Sequence, residues 1–394
     1  MKERVLSFLA AVVMLAVILT APAAAFAKSS TPVWDKYSKF GSHKVSTMTF
    51  TVEGNDFTYK VWYPKDIAEL SKRPIILYCN GTGSNYIKTP DTETYLKKAA
   101  SYGFVCLTNT DENTGVGISM DAGMSQLVKF NATKGHRFYQ KLNLYKTGLG
   151  GHSQGATCCL NLSSKGNYAN RKYFKTIYAC SLPTPQLEAS PLQNCPYDAS
   201  LVAIPTLMIS GTGATDNGII SPLETSLKPA FSKIKSDVVM ARMKGIEHPD
   251  SIMKTHPYMI AWFDYKLNGD KNAAKAFVGK SPELKTNNDF QDYRLKVRVS
   301  KTTFSKLTAG KKSFKAKWTK AAGVTGYQLQ YSTTKKFTKK MTKSVYIKKA
   351  ATVSRTVKKL KAKKRYYVRV RSYRSVGGVK YYSKWTATRS VKTK

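Results

Sequence analysis

A chain that alternates short apolar runs with helix-periodic stretches has few ways to fold, and this one does so from about residue 45 to residue 270. "STMTFTVEGNDFTYKVWYP" reads as two alternating strands joined at Glu53–Asp56. "RPIILYCNGTGSN" is a continuous apolar run that ends in a glycine-rich loop, the pattern of a strand buried on both faces. "DTETYLKKAASYG" has helical spacing and stops at Gly103, and "FVCLTNTDENTG" is again a strand followed by a polar loop. A helical "MDAGMSQLVKFNAT", a strand near Leu144–Leu149 and a helix to about Ser164 follow, then strands in "KTIYACSLP", "IPTLMISGTG" and "DVVMARMKG". An amphipathic helix, "PYMIAWFDYKLNGD", closes the series. Strands alternating with helices predict an open, mainly parallel α/β sheet, and in such sheets sites form outside the carboxyl ends of the strands. The polar, glycine-rich stretches here all follow their strands.

The texture changes near Val297. "SFKAKWTKA", "GYQLQYSTT", "SVYIKKA", "TVSRTVKKL", "YYVRVRSYRS" and "VKYYSKWTATRSV" are short β-rich runs separated by turn signals, which predicts an all-β sandwich. The charge changes at the same place. Residues 293–394 hold 32 Lys and Arg and no Asp or Glu, and so carry most of the chain's net charge of +42. The expected organisation is an α/β domain over 28–280, a polar linker over 281–295 and an all-β domain over 296–394.

Residues 1–27 read as a secretory signal peptide. Lys2 and Arg4 precede an apolar run from Val5 to Thr20, and an Ala-Phe-Ala pattern places the cut after Ala27. No later stretch reaches the roughly 18 apolar residues of a membrane span, so an exported chain without a span after cleavage is expected. An exported protein can oxidise its cysteines. Cys79, Cys106, Cys158 and Cys159 fall in apolar strands or on a helix and read as buried thiols. Cys180 and Cys195, separated by a loop-like stretch, are the best disulfide candidates. No His/Cys cluster has zinc-ligand spacing, and no metal or cofactor is expected.

"GLGGHSQGA" contains Gly-x-Ser-x-Gly, the pattern of a nucleophile on a sharp strand-to-helix turn. Three fixed positions recur by chance in about one chain in ten at this length, so the surroundings decide. A serine hydroxyl needs a base to take its proton, a group to orient that base, and N–H donors for the developing oxyanion. A strand precedes Ser153, and small residues surround it. Among five histidines, His43 and His136 lie upstream and His152 lies inside the motif, where it is expected to point away from Ser153. His248 follows a strand in "KGIEHPD" and is the expected base, with His256 in reserve. Asp216 follows "PTLMISGTGAT" and gives the order Ser…Asp…His, with Asp250 and Asp198 as rivals. Gln154 is expected to supply one oxyanion N–H and Thr82, in "CNGTG", the other.

Together "RPIILYCNGTGSN", "YLKKAASYGFVCLTNTD", "GLGGHSQGA", "IPTLMISGTGATDN" and "GIEHPD…YMIAWFDYKLNGD" resemble the α/β-hydrolase superfamily, in particular its cutinase-like and polyester-hydrolase-like branch beside the dienelactone hydrolases. The resemblance implies an α/β-hydrolase fold with Ser153 as nucleophile, Asp216 as orienting acid, His248 as base, and Thr82 and Gln154 as oxyanion donors. It also implies aromatic clamps where this chain has Thr82 and a "TPQ" stretch at Thr184–Gln186. Small or medium esters are therefore the expected substrates, not aromatic polyesters. An amidase or peptidase on the same residues, or an inert surface-binding protein, are the alternatives.

"SFKAKWTKAAGVTGYQLQYSTTKKF", "VKKLKAKKRYYVRVRSY" and "YYSKWT" resemble a fibronectin type III domain. The resemblance implies Trp318 in its core and Tyr366 as a tyrosine corner. Tyr367, Arg369, Arg371 and Tyr373 interleave rings with cations. For an exported chain, an anionic cell-wall polymer or acidic glycan is the expected partner, ahead of nucleic acid, and a solvated spacer is the plain alternative.

Overall fold

The computed structural model describes residues 31–394 except Lys165 and Asn167. The expected signal peptide lies outside the described residues.

A nine-stranded sheet runs in the order β1-β2-β4-β3-β5-β6-β7-β8-β9. Its strands are β1 (Val45–Thr51), β2 (Thr58–Pro64), β3 (Arg73–Cys79), β4 (Val105–Asn109), β5 (Leu142–His152), β6 (Phe174–Cys180), β7 (Thr206–Gly211), β8 (Val238–Met243) and β9 (Phe290–Lys296). From β4 through β8 every neighbour is parallel, while β1, β2 and β9 pair antiparallel at the two edges.

Helices cover both faces: α1 (Pro32–Ser38), α2 (Pro90–Ser101), α3 (Ile118–Ala132), α4 (Gln154–Ser164) and α5 (Ser251–Phe263). The cores on the two faces explain the apolar strand runs. Ile76 and Tyr78 of β3 join Tyr95, Leu96, Tyr258 and Trp262 from α2 and α5. Ile75 and Leu77 point the other way, to Met120, Met124 and Leu127 of α3 and Cys158 and Leu160 of α4. A central strand has no wet face, so period-two alternation disappears from its sequence.

The stretch expected to be a linker is part of this sheet. Phe290–Lys296 pairs with β8, and Arg242 of β8 meets Asp292 at 2.8 Å. Upstream, the buried Glu283 carboxylate accepts the Val33 and Trp34 N–H groups at 2.8 Å each and the Tyr258 hydroxyl at 3.1 Å. An edge strand keeps one face in water and carries charge there, which hides it in a composition reading.

The remaining strands are antiparallel and form two further sheets. One holds β10 (Phe304–Gly310), β11 (Ser313–Trp318) and β14 (Ser354–Val357). The other holds β12 (Gly326–Ser332), β13 (Thr342–Ile347), β15 (Arg365–Val376), β16 (Val379–Tyr382) and β17 (Arg389–Lys392). Phe314, Trp318, Tyr327, Leu329, Val368 and Val370 fill their common core, and the Tyr366 hydroxyl accepts the Lys361 N–H at 3.2 Å. Arg374 fixes this region to the large sheet. Its Nη1 and Nη2 donate to Asp237 at 2.8 and 3.0 Å, and Asp237 also accepts the Arg298 N–H at 2.9 Å.

Candidate active site

β5 passes into α4 through Ser153, whose φ is +57°. A non-glycine residue in the left-handed region is strained and has to be held there. Here the Ser153 N–H donates to the Cys180 carbonyl at 2.9 Å, and its carbonyl accepts the Ala156 N–H at 2.8 Å. The flanking glycines have a steric reason. A Cβ on Gly151 would lie 2.2 Å from the Gly155 carbonyl oxygen, and one on Gly155 would lie 2.1 Å from that of Cys79. Only bare backbone allows α4 to start this close to β3.

Asp216 follows β7 and is fully buried, and its Oδ1 lies 2.6 Å from His248 Nδ1. Its Oδ2 accepts the Gly211 N–H at 2.8 Å and the Ser181 hydroxyl at 2.6 Å. Burial alone would raise this carboxyl. The hydrogen bond and charge of His248, then Ser181 and Gly211, outweigh burial and hold it below its ordinary value. With Oδ1 an obligate acceptor, His248 keeps its proton on Nδ1 and leaves Nε2 free to accept one.

His152 links Ser153 to this pair. Its Nε2 donates to the His248 carbonyl at 2.9 Å, and the two rings are 4.4 Å apart. Burial, then repulsion by His248, pushes it down to about 3, so it is a neutral donor. Ser251 donates to the same carbonyl at 2.9 Å and lies 3.0 Å from the Ser181 hydroxyl. His248 is thus held at both its ring and its backbone.

The loop after β3 runs beside Ser153, since a Cβ on Gly81 would lie 3.3 Å from Ser153 Cβ. Thr82 is exposed and Gln154 is buried at the start of α4, where first-turn N–H groups have no partner inside the helix. Their side chains meet on one acceptor. Gln193 Oε1 takes the Thr82 hydroxyl at 2.9 Å and Gln154 Nε2 at 2.7 Å. Gln154 Oε1 in turn accepts the Gly115 N–H at 3.3 Å.

The rivals are engaged elsewhere. His256 donates from Nδ1 to the Met253 carbonyl at 2.7 Å and accepts Lys98 Nζ on Nε2 at 2.9 Å, so neither nitrogen is free. Burial, then Lys98, pushes it down to about 4. Asp198 caps the turn at Ala199–Leu201 through Ser200, and Asp250 sits at the start of α5. His43 lies 3.1 Å from Asp66, and His136 stacks on Phe130 at 4.1 Å.

Several members of the site are not evident from sequence. Gln193 and Ser181 lie in an irregular loop, and Glu247 holds the turn before Asp216 by accepting the Ala214 N–H at 2.8 Å and the Thr215 N–H at 3.3 Å. The one local signal is the placement of Glu247 beside His248.

Cys180 and Cys195, the best candidates for a disulfide, do not form one, and all six cysteines are free and buried. Cys180 ends β6 with its sulfur 3.4 Å from the Ser251 hydroxyl, whereas the Cys195 thiol donates to buried Glu188 at 2.7 Å. Among the described residues, no group of three or more His, Cys, Asp or Glu side chains is arranged to hold a metal ion, and no helix is long and apolar enough to cross a membrane. No protein-family model matches the chain, and no curated protein matches it.

Proposed function

We propose that the chain is an exported serine hydrolase that cleaves carboxylic esters, built on an α/β-hydrolase fold with a fibronectin type III-like module attached. The observation that carries this reading is the 2.6 Å contact between buried Asp216 and His248, beside a turn that holds Ser153 at φ +57°. In this mechanism His248 Nε2 takes the Ser153 proton as Oγ attacks the ester carbonyl. Asp216 fixes the tautomer and stabilises the imidazolium. The Thr82 and Gln154 N–H groups stabilise the oxyanion, an effect worth about 10²–10³ in rate per donor in acyl transfer. His248 then returns the proton to the leaving alcohol. Water that it deprotonates next attacks the acyl-enzyme.

Exposed Ile87 and Leu192 lie in the segments after β3 and β6, and exposed Ile219 in the helical turn Asp216–Ile220 after β7, and they support an ester with an apolar portion. Thr82, where the resemblance implies an aromatic clamp, is polar and donates to Gln193 at 2.9 Å, which supports small or medium esters over aromatic polymers.

A fluorophosphonate probe tests the reading. Labelling of the native chain that disappears in Ser153→Ala is expected. Absent labelling, or equal labelling of the variant, refutes the enzyme assignment. p-Nitrophenyl esters run beside anilides then separate an esterase from an amidase or peptidase.

A further inference from the structure

The outer face of the sheet formed by β12, β13, β15 and β16 carries a column of planar groups. Along β15 the even residues Val368 and Val370 are buried in the core, and the odd residues Arg369 and Arg371 stand on the opposite face. The Arg371 guanidinium lies 3.8 Å from the Tyr382 ring and 4.2 Å from Trp385. The Arg369 guanidinium lies 4.3 Å from Trp385 and 4.1 Å from Phe337. Tyr382, Arg371, Trp385, Arg369 and Phe337 therefore alternate ring and cation.

Gln328 Oε1 accepts Arg371 Nε at 2.8 Å, and Gln330 Oε1 accepts Arg369 Nε and Nη2 at 2.9 and 2.7 Å. Both guanidiniums are thus held in fixed planes by neutral acceptors. Burial, then the charge of Arg371, draws Arg369 below its ordinary value, so two like charges stand side by side. Residues 293–394 contain no carboxylate side chain to offset them. Arg374, three residues beyond Arg371 and so of opposite parity along β15, pairs with Asp237 of the large sheet and is not part of the column.

We propose that this face binds an extended polymer of phosphodiesters on an aliphatic backbone, laid along β15. Arg369 and Arg371 are two residues apart on a strand, or about 7 Å, and exposed Arg365 continues the row. Planar guanidiniums held in place match the paired oxygens of a phosphate, with little side-chain entropy left to lose. Exposed Lys335 and Lys336 directly precede Phe337 in the sequence, and exposed Lys384 precedes Trp385, so further cations flank the rings of the column. Nucleic acid fits less well. It uses bare aromatic faces as stacking platforms, and here Trp385 meets the guanidiniums of both Arg369 and Arg371, while Tyr382 and Phe337 each meet one.

The test uses the full chain with three probes of matched charge: poly(glycerol phosphate), polygalacturonate and single-stranded DNA, each titrated from low to high salt. The phosphate polymer is expected to bind tightest. Arg369→Gln with Arg371→Gln lowers its affinity about tenfold at physiological salt. Lys315→Gln with Lys317→Gln, an equal charge loss at the same spacing on exposed positions of β11, changes it by less than about threefold. Equal losses in the two double variants, or equal or tighter binding of either other polymer, overturns the proposal. Should the glutamine pair fail to fold, Arg369→Lys with Arg371→Lys keeps the charge and removes the fork. A loss of about fivefold is expected there, and unchanged affinity refutes a built site.

Discussion

Replacing Asp216 by asparagine separates the chemistry of this carboxylate from its role in the fold. Asp216 accepts three hydrogen bonds, from His248 Nδ1, the Gly211 N–H and the Ser181 hydroxyl. An asparagine has one acceptor oxygen and one NH2 group. Turned with its oxygen towards Gly211 and Ser181, it keeps those two bonds and gives its NH2 to His248. His248 must then accept on Nδ1 and carry its proton on Nε2, the tautomer that cannot receive the Ser153 proton. The reverse orientation sets NH2 against the Gly211 N–H, at a cost of about 1–3 kcal/mol for the unmet buried donor, so the first is adopted. The fold loses the difference between charge-assisted and neutral hydrogen bonds, in total about 1–3 kcal/mol. Catalysis loses far more, about 10⁴ in kcat, equivalent to roughly 5.5 kcal/mol. Hydrolysis of p-nitrophenyl butyrate, with urea unfolding of the same preparation, measures both. A variant that melts normally and keeps more than about a tenth of its kcat refutes the assigned role of Asp216.

Three further outcomes are expected. His152 and His256 stay neutral in the folded chain, pushed down to about 3 and about 4 from an ordinary 6.5. The unfolded chain takes up both protons as pH falls through 6.5 and the folded chain does not. Stability therefore declines towards acid by up to about 1.4 kcal/mol per pH unit for each ring. Urea midpoints between pH 7.5 and 5 show this, and a slope unchanged in His256→Gln contradicts it. Asp216, held below its ordinary value, contributes stability above about pH 3.9 that disappears only in stronger acid, outside this window. Gly155→Ala puts a methyl 2.1 Å from a main-chain oxygen, so it costs at least about 3 kcal/mol. Gly135→Ala, at φ +85° with nothing within 4 Å, costs about 1 kcal/mol, and equal costs in denaturant titrations refute the packing argument. Gln193→Ala releases Thr82 and Gln154 from their shared acceptor. It lowers kcat about tenfold with little change in KM, and a change confined to KM shows that Gln193 only contacts substrate.

The parallel strands were legible because a strand covered on both faces must be apolar throughout, as Ile75 to Tyr78 are. That Asp216 and His248 meet was legible because each follows a strand, and a parallel sheet gathers such loops at one edge. β9 was not, since its edge position admits Gln291, Asp292 and Arg294 between the residues that pack. Gln193 was not, because an irregular loop has no period and only the folded chain brings it to Thr82 and Gln154. Nor was the state of Cys180 and Cys195. Spacing along the chain does not reveal that one sulfur faces Ser251 and the other faces Glu188.

The six enclosed thiols make oxidant dispensable to folding. The chain is expected to reach its native state equally well with a reductant present, and renaturation from urea to require no redox couple. They also act as a built-in reporter. A thiol reagent finds nothing to modify while the fold is intact, and the rise of titratable sulfur with denaturant follows the collapse of both faces of the large sheet, since Cys106 and Cys180 lie in one core and Cys79, Cys158 and Cys159 in the other.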